Sequence, residues 1–73
     1  MNTYLTVFFS SEGAMPSEVA ERLQMLGFEP TQGNYDFVYK WDSKATVKDA
    51  LWFADKIRAT LEGMNVFFKI ETI

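Results

Sequence analysis

The chain has 73 residues, ten acidic against seven basic for a net charge of −3, and 48% of it is hydrophobic, with seven Phe. It has no cysteine and no histidine, which excludes disulfides, thiolate metal sites, Ser-His and Cys-His catalysis and the usual zinc sites. The length allows one domain, residues 1–73, around one core. Domains this small are marginal and lean on disulfides, metals or self-association. Self-association is the support left open.

The first strand is expected from Thr3 to Phe9, where β-branched and aromatic residues alternate as Leu5, Val7, Phe9 against Tyr4, Thr6, Phe8. Ser10 to Gly13 reads as a loop. Pro16 suits the first turn of a helix that carries Val19, Leu23 and Leu26 at helical spacing and stops at Gly27. Gly27 to Thr31 reads as a short strand, and Pro30 places it on an edge because proline donates nothing to a ladder. Gln32-Gly33-Asn34 is the turn into a third strand, Tyr35 to Trp41. There Tyr35, Phe37, Tyr39 and Trp41 are expected to face the helices, since the other choice buries Asp36 and Lys40.

Thr46 reads as an N-cap, with Asp49 as its acidic third residue. Val47, Ala50, Leu51, Ala54, Ile57 and Leu61 form the apolar stripe of a second helix, with Phe53 at the edge of the stripe and expected in the core; the helix ends before Gly63. The last strand runs from Asn65 to Thr72, with Val66, Phe68, Ile70 on one side and Phe67, Lys69, Glu71 on the other. Strand, helix, strand, strand, helix, strand with right-handed crossovers predicts an α+β fold, the ferredoxin-like βαββαβ plait. It has a four-stranded antiparallel sheet, two helices on one face, and the first and third strands in the centre.

One sheet face is then left uncovered. It carries Tyr4, Thr6 and Phe8, then Asp36, Val38 and Lys40, then Phe67, Lys69 and Glu71. Burying a large apolar side chain stabilises by roughly 1.5–3 kcal/mol. Tyr4, Phe8, Val38, Phe67, Lys40 and Lys69 are therefore the expected interface, and a second copy stacked sheet to sheet is the simplest cover. Scattered surface aromatics are the plainer explanation of the same residues. Trp52 lies opposite the second helix's stripe, between Lys48 and Lys56, and reads as a rim residue under lysine stems or as a contact residue.

Little in the chain points to catalysis. The ten carboxylates form no distinctive pair, Ser43 has no base, Gly13 and Gly33 are isolated, and no calcium-loop spacing occurs. No cofactor and no metal are expected. RNA-recognition domains share this plait. Here, however, Asn34 to Lys40 matches their third-strand aromatic motif only at Tyr35, Phe37 and Val38, and those aromatics point inward. The acidic balance also argues against nucleic acid as a partner. No apolar run has membrane-spanning length, and no basic leader precedes the first strand, so a cytoplasmic protein without a membrane partner is expected.

Gly33-Asn34-Tyr35-Asp36-Phe37-Val38 resembles the Gly-x-Tyr-Asp hairpin of Lrp/AsnC-type (RAM-like) ligand-binding domains, in which the motif opens the third strand. The resemblance covers Phe28 to Thr72, without a helix-turn-helix and without a distinctive match from Met1 to Leu26. It implies sheet-to-sheet dimers and small effectors such as amino acids at subunit interfaces, with the family glycine and aspartate falling on Gly33 and Asp36. The expected function is a small non-catalytic regulatory or effector-binding module that forms a homodimer. The alternatives are a cofactor-free enzyme of the dimeric α/β-barrel type, with Tyr35, Tyr39 and Trp41 as its inward polar groups, and a protein-interaction subunit.

Overall fold

A computed structural model describes residues 1–73. The alternating run Asn2–Phe8 forms strand β1. Its inner residues Thr3, Leu5 and Val7 are buried, while Phe8 on the other side is 56% exposed, as the two-residue period of a strand requires. Helix α1 spans Pro16–Met25 and opens on proline, where no N–H is needed. The chain reverses at Gly27, which has a φ of 108° and would bring a Cβ to 2.8 Å from the Tyr39 ring. Both the left-handed turn and that close approach demand glycine.

Strand β2 is the two-residue Glu29–Pro30, and β3 is Phe37–Lys40. Helix α2 spans Val47–Leu61 and starts with a full capping box between Thr46 and Asp49. Strand β4 spans Phe67–Thr72. The antiparallel sheet has the order β2-β3-β1-β4, so β1 and β3 are central, and Pro30 does lie in an edge strand.

Both helices feed one core. Val19 and Leu23 of α1 and Phe53, Ile57 and Leu61 of α2 cluster with Leu5, Val7 and Phe37 of the sheet, together with Phe28 and Met64. The helices therefore pack on the same side. Phe28, Phe37, Tyr39, Trp41 and Phe53 interlock at ring separations of 4.4–6.5 Å. Thr3, the buried polar residue of this side, is satisfied twice: the Trp41 indole N–H donates to its hydroxyl at 2.7 Å, and the Thr72 hydroxyl lies 2.9 Å away.

The stripe of α2 differs from the expected one. Its centre is Phe53-Ile57-Leu61, and Val47 and Leu51 stay 73% and 64% exposed. At about 100° per residue, Leu51 lies about 120° around the helix from Ile57, beyond the reach of the core. Phe53, expected in the core at the edge of the stripe, is its centre instead. No helix is long and apolar enough to cross a membrane.

Candidate functional site

The strand register lays out the face turned away from the helices in rows. Lys40 stands opposite Asn2, Val38 beside Tyr4 and then Glu71, Thr6 opposite Lys69, and Phe8 opposite Phe67. The centre of this face is roofed by a residue expected on the other side. Tyr35 stacks on Tyr4 at 4.6 Å between centroids, and its hydroxyl donates to the Glu71 carboxylate. A side chain from the β2–β3 turn thus crosses β1 to reach β4. The hydrogen bond to Glu71 holds the Tyr35 hydroxyl above the ordinary phenol range.

Tyr35 escapes its expected alternation because the β3 ladder begins only at Phe37. Asp36 breaks the period just before it. Its N–H donates to the Leu5 carbonyl, and its Oδ2 accepts from the Val7 N–H at 2.9 Å. Asn2 pairs with β4 through Ile73, so Thr3, Leu5 and Val7, one pleat out of phase, direct their N–H groups toward β3. Val7 lies past the end of β3, and the Asp36 carboxylate supplies the acceptor that β3 no longer offers. One oxygen of the expected ligand-binding aspartate therefore holds the sheet together. Gly33 is exposed with a φ of 98°, and nothing comes within 4 Å of where its Cβ would be.

The six expected interface residues divide into three groups. Val38 is 7% exposed between its register partners Tyr4 and Glu29, so it lies beneath the surface and does not present to it, and Tyr4 is half-buried under Tyr35. Lys40 and Lys69 are exposed, with Lys40 3.9 Å from Glu29. Phe8 and Phe67, directly opposite each other across β1 and β4, are 56% and 73% exposed. The apolar surface left uncovered is this pair, at one corner of the sheet, flanked by exposed Phe9.

A second apolar feature had no counterpart in the sequence reading. Met1, Val47, Ala50, Leu51, Thr72 and Ile73 line an open groove of about 260 Å³ between the first half of α2 and the end of β4. The exposed Val47 and Leu51 were its only sequence signal, and they read there as core. Trp52 is exposed with the Lys56 ammonium 5.1 Å from its ring centre, in cation–π range. No cluster of three or more metal-ligating side chains occurs. On the helix side, Tyr39 and Trp41 are packed into the aromatic cluster, and Tyr35 is not there at all. No protein-family model, curated protein or solved structure matches the chain.

Proposed function

We propose that the domain is a non-catalytic regulatory or effector-binding module that associates with its own copy through the open sheet face. The order β2-β3-β1-β4, with a helix after β1 and after β3, supports reading the fold as a ferredoxin-like plait. The observation that carries the functional reading is the Phe8–Phe67 pair. Two large rings sit side by side on the open sheet surface, each more than half exposed. Covering one such side chain stabilises by roughly 1.5–3 kcal/mol, and a two-fold contact covers four such rings, two from each copy. That sum is a sizeable fraction of the stability of a small domain.

Tyr35 stacked on Tyr4 contributes a half-apolar platform beside the pair, and Lys69 and Lys40 form its charged rim. The resemblance to Lrp/AsnC-type domains supports the same face as the contact. It also supports a small effector, such as an amino acid, at the corner holding Gly33 and Asp36. Gly33 leaves space there, and Asp36 keeps its second carboxylate oxygen for a ligand ammonium.

Phe8→Ser tests the contact. Phe8 is an exposed side chain on β1 that takes no part in the core cluster, so its loss should lower the assembly mass while the far-ultraviolet spectrum stays the same. A wild-type chain that stays at its monomer mass of 8.4 kDa at high concentration assigns the face to a different protein and ends the self-association reading. Shifts of the Gly33 and Asp36 amide resonances on titration with amino acids test the effector.

A further inference from the structure

The two edges of the sheet are built differently. The β2 edge has only two residues, one of them Pro30, which is the usual way to blunt an edge against pairing. The β4 edge has six residues, Phe67–Thr72, with no proline. Ile73 exchanges backbone hydrogen bonds with Asn2. By the alternation of an antiparallel ladder, Phe68, Ile70 and Thr72 then direct their N–H and C=O groups away from β1, out of the sheet. The side chains of Phe68 and Ile70 are half-buried against the core, and the groove lined by Val47, Leu51 and Thr72 opens beside the same edge.

We infer that β4 pairs with β4 of a second copy, antiparallel and centred on Ile70, to give a continuous eight-stranded sheet. Register and charge together select this partner. A two-fold axis at Ile70 sets Ile70 against its own copy and Phe68 against Thr72, and every outward-facing backbone group of the edge then meets its complement. The same register sets Lys69 opposite Glu71 of the second copy, and Glu71 opposite Lys69, on the open face. Centring on Lys69 or Glu71 sets like charges directly opposite, which is destabilising. Centring on Phe68 runs the second copy onto Asn65, whose φ of 55° takes it out of extended backbone. Centring on Thr72 leaves little of β4 in register. At Ile70 the side chain of Phe68 comes beside Thr72 of the second copy.

This contact is independent of the open-face contact and is tested apart from it. In a Phe8→Ser background, Ile70→Cys introduces the chain's single thiol at the two-fold position. Directly opposite residues of a hydrogen-bonded pair have Cα atoms about 5.5 Å apart, within disulfide range. Mild oxidation should convert this variant mainly to covalent dimer. Lys69→Cys, whose counterpart across the edge is Glu71, should stay mainly uncrosslinked. Lys69→Glu and Glu71→Lys should each weaken edge association, and the double exchange K69E/E71K should restore it. An uncrosslinked Ile70→Cys, equal crosslinking at Ile70 and Lys69, or no rescue by the double exchange overturns the edge contact. Crosslinking at Ile70 together with no effect of Phe8→Ser on assembly mass keeps the edge contact and removes the open-face reading.

Discussion

Strand β1 serves two surfaces that are finished in different ways. Its inner residues Leu5 and Val7 are covered by side chains from both helices, from β3 and from the aromatic cluster around Phe53. Its outer residues have one intramolecular cover, the Tyr35 ring on Tyr4, and that cover stops before Phe8. The inner face is therefore complete within one chain. The outer face is covered only over Tyr4 and Val38, and the contrast is between a side buried by the chain's own residues and one that leaves Phe8 and Phe67 exposed.

The largest effect should come from the inner face. Leu5→Ala removes a side chain with no exposed surface and should cost about 2–5 kcal/mol, measured by urea unfolding. Next comes the joint between β1 and the start of β3. Asp36→Ala leaves the Val7 N–H without its acceptor and should cost about 1–2 kcal/mol. Asp36→Asn keeps an acceptor oxygen and should lose less. If Asp36→Ala leaves the unfolding midpoint unchanged, the carboxylate is not completing the sheet.

The Tyr35 roof should matter less to stability and show itself in titration. Its folded-state pKa is raised above the ordinary phenol value. The stability it contributes is fully present below that ordinary value and is lost as pH rises through the raised one. Absorbance titration should show Tyr35 ionising above the ordinary range, and Tyr35→Phe should remove that component. A smaller effect still is expected at Phe8. Phe8→Ser, on an exposed side chain, should change the stability of the isolated chain by no more than about 0.5 kcal/mol.

Much of the inner face was legible in the sequence, because it depends on short-range rules. The alternation of Leu5 and Val7, the edge signal of Pro30, the Thr46 N-cap with Asp49 as its acidic third residue, and the central position of the first and third strands follow from period, proline chemistry, helix capping and crossover handedness. The roof was not legible. Period-2 reasoning assumes a continuous ladder, and Asp36 interrupts the ladder to bond Val7, which turns Tyr35 to the outer face. Nor was the phase of α2 legible at its start. Val47 and Leu51 are as apolar as Phe53, and only the three-dimensional position of the sheet end decides which of them it covers. Phe8 and Phe67 were legible as outward residues, whereas Val38, which shares their face, is roofed by neighbours from other strands that no local pattern reveals.

Phe8 and Phe67 form the proposed contact surface, and sedimentation equilibrium on the wild-type chain and Phe8→Ser over a range of concentrations tests it most directly. The prediction is a wild-type mass at a multiple of the 8.4 kDa chain and a lower mass for Phe8→Ser, with unchanged secondary structure. Equal masses for the two proteins, or a wild-type chain at its monomer mass throughout, would contradict it.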